Sequence, residues 1–193
     1  MKILKDRIVA DGVAIGTEIV KVDSFLNHQI DVELLDQIGQ EFAKRFQGCG
    51  VTKILTVEAS GIAVACMAAR HFGNIPVVFA KKTAPNTMTE GFFGAEVKSF
   101  TKGTTSVVRV SEKFLKKEDY ILIIDDFLAH GEAALGMANL VEQAGASLVG
   151  VGSVIEKQFQ GGSNRLRAVG IRVESLAVIE AIKDGEITFA SIG

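Results

Sequence analysis

The chain has 193 residues, 48% of them hydrophobic, with only 2 prolines and a formal net charge of −2. That length suits one domain with a full core, and the hydrophobic content excludes a disordered chain. The near balance of charge argues against a surface that coats nucleic acid, and no uncharged stretch reaches membrane-spanning length. The opening Met1-Lys2-Ile3-Leu4-Lys5-Asp6-Arg7 mixes charges too early for a signal peptide. Cys49 and Cys66 have no CxxC spacing and read as reduced, structural thiols. A cytoplasmic protein without membrane or nucleic-acid partners is the expectation.

Residues 31–47 place Leu35, Ile38, Phe42 and Phe46 on one helical stripe, with Asp31 as N-cap and Gly48 beyond the end. Ile54–Val57 reads as a short strand. Glu58-Ala59-Ser60-Gly61 then opens a helix from Ile62 to about Phe72, which Gly73-Asn74 closes. Pro76–Ala80 is the next strand, followed by Lys81 and Lys82. Strand, helix, strand in that order implies a right-handed parallel crossover. From Thr83 to Thr104, a stretch with Thr83, Thr87, Thr89, Ser99 and Thr101, no period is steady. A stretch that long reads as a functional covering loop, or as an exposed hairpin with Phe92 and Phe93 on the core and a strand returning to Val110. The two readings are compatible. Tyr120–Ile124 is apolar at nearly every position, as in a strand buried on both faces. Ala133–Ala144 follows as a helix with Leu135, Ala138, Leu140 and Val141 on one face, ended by Gly145. Leu148–Ile155 and Ile171–Leu176 supply further strands. The alternation predicts a doubly wound α/β fold with a mostly parallel sheet, in a single domain over 1–193.

Chemistry concentrates where the strand from Tyr120 runs into Asp125 and Asp126, followed by a turn at Gly131 and the alanine-rich helix. A strand–loop–helix junction of a parallel sheet lies at the carboxyl edge, where such folds bind ligands. Free amides and the dipole at the helix start favour a phosphate, and adjacent carboxylates suit sugar hydroxyls or a hydrated magnesium ion. Together they point to a phosphorylated ribose; the bland alternative is a pair of acids that merely cap the helix. Ser60-Gly61 has the same position after a strand and is either a second anion-binding turn or a plain N-cap. Gly150-Val151-Gly152 falls inside a strand and lacks the third glycine of a dinucleotide fingerprint, and no GxxxxGK[ST] occurs. His28, His71 and His130 are too scattered for a metal cluster.

The segment Tyr120–Ala134 resembles the signature of the type I phosphoribosyltransferases, and the likeness implies phosphoribosyl pyrophosphate as a ligand. It assigns Asp125 and Asp126 to the ribose and Ala129, His130, Gly131, Glu132 and Ala133 to the 5′-phosphate. It gives Ser60 and Gly61, in a turn that in this family often carries a cis peptide, to the pyrophosphate, with Lys81 or Lys82 nearby at the root of a long flexible loop. Ala133 replaces the Thr or Ser with which many members end the phosphate loop, leaving that phosphate to backbone amides. The blocks KVDSFLNHQID, SGIA, LIIDDFLA, QAGAS, VIEKQF and RVESLA extend the likeness over nearly the whole length, specifically to the bacterial xanthine phosphoribosyltransferases. That likeness implies a small amino-terminal hood of about 30 residues packing on the core together with the carboxyl-terminal end. It places Val20, Asn27 and Lys157 against xanthine, the last on an exocyclic oxygen. It also implies magnesium with the pyrophosphate, and a homodimer. Members often have Leu at Val20, Arg before Lys at Lys81, and Asn at His130. Phe159 is either a stacking partner for the base or a core residue. Two rivals remain at this level: a guanine or hypoxanthine enzyme of the same chemistry, and a regulator that senses phosphoribosyl pyrophosphate. The second normally carries a winged helix, for which the amino-terminal segment is too short.

Overall fold

A computed structural model describes residues 1–82, 91–99 and 103–190. Its centre is a six-stranded sheet. The strands are β3 (Lys53–Val57), β4 (Val77–Ala80), β7 (Tyr120–Leu128), β8 (Ser147–Lys157), β9 (Val173–Lys183) and β10 (Glu186–Phe189), in the order β10-β9-β8-β7-β3-β4. All neighbours pair in parallel except β9 with β10. The expected doubly wound, mostly parallel architecture is present. From β3 the chain winds one way to β4, and from β7 it winds the other way through β8 to β9. The carboxyl ends of β3 and β7 therefore form the point where the winding reverses, which opens a crevice in folds of this kind.

Alternate residues of the central strands feed two separate cores. Ile54, Leu122 and Ile124 pack on one face with α2 (Val32–Arg45) and α3 (Gly61–His71). Leu55, Ile121 and Ile123 pack on the other with α4 (Glu132–Gln143). That is why β7 shows no polar alternation: it is buried from both sides. The stripe Leu35, Ile38, Phe42, Phe46 of α2 is buried as expected, and the Asp31 carboxylate caps the helix by accepting from the Leu34 amide at 3.1 Å. A Cβ on Gly152 would stand 2.8 Å from the Phe42 ring, and one on Gly150 3.0 Å from that of Phe46. The two glycines let α2 lie close on β8; they are packing residues of a strand.

Several expectations shift. β7 does not stop at Ile124 but runs on through both acids, because β8 continues beside it and pairs Asp125 with Ser153 and Phe127 with Ile155. The buried side of α4 is Ala134, Gly136, Met137, Leu140 and Val141, with Leu135 and Ala138 only half-buried. The cause is a second neighbour, the antiparallel hairpin of β5 (Phe92–Ser99) and β6 (Thr104–Ser111). A Cβ on Gly136 would lie 2.5 Å from Val97 of that hairpin, and Gln143 extends an amide to it, donating to the Gly94 carbonyl at 2.8 Å. Of the two phenylalanines expected on the core, Phe93 packs there and Phe92 stays exposed under the Arg109 guanidinium. Thr83, Thr87, Thr89 and Thr101 of the expected covering loop lie outside the described residues. Cys49 is half-buried, whereas Cys66, expected to be structural, is exposed on α3.

The amino-terminal segment carries α1 (Lys2–Asp11), the small hairpin of β1 (Val13–Ile15) and β2 (Ile19–Lys21), and a π-helical turn over Asp23–Asn27. Their periods are too short to read in advance. Leu4, Ile8, Val20, Phe25 and Leu26 join the core on the α2 side of the sheet. After β8 the chain makes a 3₁₀ turn (Gln158–Gln160) and a short helix, α5 (Gly162–Ala168). No helix among the described residues is long and apolar enough to cross a membrane.

Candidate active site

A cleft of about 570 Å³ opens at the point where the winding reverses. Most of the residues expected to act together line it: Ser60, Lys82, Asp125, Asp126, the loop from Ala129 to Ala133, and Lys157.

The acids form its floor. Asp125 and Asp126 are 9% and 7% exposed, so these carboxyls sit inside the protein while opening on the cleft. Burial, and after it the charge of Asp126, holds the Asp125 carboxyl well above the usual carboxylate range; Lys82 and the Asp126 amide, which donates to Asp125 Oδ1 at 3.0 Å, oppose this. The bland reading of helix-capping acids fails, since the N-cap of α4 is Gly131 and it makes no side-chain cap bond. Asp126 also accepts a hydrogen bond at 3.1 Å from the amide of Asn27, bringing the hood to the cleft.

The turn after β3 lies against the acids. The Glu58–Ala59 peptide is cis. A Cβ on Gly61 would stand 2.2 Å from Thr56 Oγ1 and 3.1 Å from Asp125 Oδ1, so only glycine lets α3 begin so near the carboxylate. Ser60 holds the N-cap position but makes no capping bond with its side chain, which leaves that hydroxyl unused by the helix. Glu58 accepts from the Lys82 amide at 2.6 Å. The structure separates the two lysines. Lys82 lines the cleft, whereas Lys81 pairs its backbone with Arg109 of β6 and lays its ammonium over the Phe79 ring at 5.8 Å.

The loop Ala129–Ala133 takes its shape from a left-handed Gly131, φ +85°, which non-glycine residues adopt only at a cost. It rests on Gly162, whose amide donates to the Ala129 carbonyl at 3.0 Å. A Cβ on Gly162 would be 2.3 Å from that same oxygen. Gly162 thus belongs to the site, and sequence reading passed over it because its partner Ala129 lies far back along the chain, in the preceding crossover.

Toward the mouth, Lys157 donates to the Glu18 carbonyl at 2.7 Å and stands over the Phe127 ring at 5.5 Å. Burial lowers its pKa from the usual lysine range, with Glu18 opposing. It does not pair with Glu156, whose side chain turns into the core and accepts from Ser163 and, at 2.6 Å, from Ser175. Adjacent strand residues point to opposite faces, and these two follow the rule. Phe127 lines the cleft, while Phe159 is exposed on the 3₁₀ turn outside it. The aromatic face available to a planar ligand is therefore that of Phe127, missed because the strand was expected to end at Ile124, before it. Val20, in β2 of the hood, is buried in the core, and the cleft lining does not include it. Among the described residues no cluster of three or more His, Cys, Asp or Glu side chains could hold a metal ion alone.

The phosphoribosyl transferase domain model matches residues 23–175 of this chain. Xanthine phosphoribosyltransferase of Ruminiclostridium cellulolyticum is 54% identical over 98% of this chain and 99% of its own length. Xanthine phosphoribosyltransferase of Clostridium novyi is 53% identical with the same coverage. In fold, the chain is similar to an adenine phosphoribosyltransferase from Thermoanaerobacter pseudethanolicus, with a TM-score of 0.67, 22% identity, and coverage of 77% of this chain and 81% of that one.

Proposed function

Because this chain belongs to the phosphoribosyltransferase family, we propose that it is a xanthine phosphoribosyltransferase of purine salvage. It transfers the 5-phosphoribosyl group from phosphoribosyl pyrophosphate to xanthine, giving xanthosine 5′-monophosphate and pyrophosphate. The observation that carries this reading is one cleft with a glycine-shaped phosphate loop, a buried carboxylate pair and a half-buried ammonium at its mouth. Relatives more than half identical, bearing that name, supply the choice of base.

The bond between the anomeric carbon and pyrophosphate breaks while a ring nitrogen of xanthine takes its place, with positive charge building on the sugar. Amides of His130–Ala133 and the α4 dipole hold the 5′-phosphate. Asp125 and Asp126 orient the ribose hydroxyls and set negative charge beside the developing cation. Burial and the neighbouring Asp126 charge push the Asp125 carboxyl toward its neutral form, with Lys82 opposing. Ser60 and the amides of its turn meet the pyrophosphate, with Lys82 supplying a point charge. Lys157 faces an exocyclic oxygen of the base lying on Phe127, and Asn27 gives the hood a polar contact on that side. Magnesium fits as an ion shared with the substrate: two carboxylates are too few for a protein cage, and such ions take the rest of their shell from substrate oxygens and water. When bound it neutralises charge on the leaving pyrophosphate.

The test is a panel of xanthine, guanine, hypoxanthine and adenine with phosphoribosyl pyrophosphate and magnesium, following pyrophosphate release. Xanthine is expected to be the preferred acceptor; preference for another base overturns the base assignment, and no transfer to any base overturns the enzyme reading. Lys157 disfavours adenine, since an ammonium donates to an oxo group and repels an amino group.

The same reading makes the protein a cytoplasmic homodimer. Phe79, Phe92 and Phe114 are exposed and offer apolar contacts to a second copy of the chain. Light scattering at micromolar concentration should give twice the mass of one chain, and a single-chain mass refutes the dimer.

A further inference from the structure

The phosphate loop contains an acid that works against its task. Glu132 is the first residue of α4 and lines the cleft. A carboxylate in the first turn suits the helix dipole, but it stands beside the place where a phosphate dianion would bind, and like charges there weaken binding.

The structure answers this with Arg165 of α5. One of its terminal nitrogens, Nη1, donates to Glu132 Oε1 at 2.6 Å and to the His130 carbonyl at 2.7 Å. A single guanidinium nitrogen thus cancels the charge of the loop's acid and draws a loop carbonyl toward α5. The helix it comes from is well anchored. Gly162 backs the loop through the Ala129 carbonyl, and the next residue, Ser163, donates to the buried Glu156 carboxylate, which also takes Ser175 of β9. The Gln160 carbonyl meets His130 Nδ1 at 3.2 Å. Residues 160–165 are therefore a rigid backing to the loop, fixed to the sheet from behind.

We propose that Arg165 is a positioning residue for 5′-phosphate binding: it neutralises Glu132 and fixes the His130 carbonyl, so that the loop presents net positive potential to the ligand. This rests on the reading of Ala129–Ala133 as the 5′-phosphate loop. Arg165 itself is half exposed and bound to the outer side of that loop, so no contact with the sugar or the base is implied.

The test is a four-member cycle of wild type, Arg165→Ala, Glu132→Gln and the double variant, all titrated with ribose 5-phosphate and, separately, with pyrophosphate. Arg165→Ala should weaken ribose 5-phosphate about three- to tenfold, the scale of one uncompensated charge near a dianion in a partly wet site. Pyrophosphate binding should change less than twofold, and in the steady state KM for phosphoribosyl pyrophosphate should rise with the KM for xanthine unchanged. Glu132→Gln placed on top of Arg165→Ala should recover most of the loss, because removing the acid makes its neutralisation unnecessary. A merely structural role gives a different pattern: both ligands weakened together, a lowered Tm, and no recovery in the double variant. That pattern, or ribose 5-phosphate binding indifferent to Arg165, overturns the proposal. Wild-type protein that fails to bind ribose 5-phosphate overturns the phosphate-loop reading itself.

Discussion

Replacing Asp125 and Asp126 together by asparagine is expected to remove phosphoribosyl transfer while the protein stays folded. Each carboxyl presented to a ribose hydroxyl from a buried site contributes about 1.5–3 kcal/mol as a charged hydrogen bond. Loss of both should therefore lower kcat/KM by roughly a hundred- to ten-thousandfold. Stability should move the other way. The folded-state pKa of Asp125 is raised, so its contribution to stability is present below the unfolded carboxyl pKa and lost as the pH climbs through the raised value. At neutral pH the native Asp125 is thus a burden, and asparagine, neutral at every pH, removes it while Oδ1 still accepts the Asp126 amide. The double variant should have a Tm at pH 7 equal to or above that of the parent, and the gap should narrow on acidification. Turnover near the parental rate sinks the assignment of the pair.

The second large effect concerns the base. Lys157→Met should weaken xanthine use roughly ten- to hundredfold, the cost of removing a charged donor from a half-dry site. Methionine matches the length of the lysine stem and keeps the packing over Phe127, so the change is mainly one of charge. The variant also releases the Glu18 carbonyl, so part of the loss comes from a looser hood. Comparison of bases separates the two. A 2,6-dioxo purine loses a proton near neutral pH and presents two oxygens, so it should suffer more than hypoxanthine, with phosphoribosyl pyrophosphate binding nearly unchanged. Equal and small losses for both bases would make Lys157 a structural tether.

What could be read from the chain, and what could not, divides by the range of the interactions. The acid pair, the glycine turn and the sheet-forming strands announce themselves locally: a run of Ile and Leu ending in two aspartates has few uses. The extent of β7 was not legible, since strand identity at Asp125–Leu128 comes from pairing with β8 and overrides the poor strand propensity of aspartate. The buried face of α4 was misread because the sequence shows one stripe, whereas the helix is covered both by the sheet and by a hairpin 40 residues earlier. Phe127, Gly162 and Arg165 were missed for a related reason. Each looks ordinary in its own segment, and only the third dimension puts Phe127 on the cleft wall, Gly162 behind the Ala129–Ala133 loop and Arg165 against Glu132.

The hood is tied to the cleft by contacts between distant parts of the chain. Asn27 reaches Asp126 across 99 residues and Lys157 reaches Glu18 across 139. Such contacts come late in folding, because long loops must close before they form. A chain leaving the ribosome amino end first can pack its hood on α2 early, but its two contacts with the cleft wait for β7 and β8. The acid-bearing end of β7 in turn waits for its partner β8. On the role proposed for Lys157, discrimination among bases arrives only once residue 157 has folded back to residue 18, a late-acquired property of the maturing molecule.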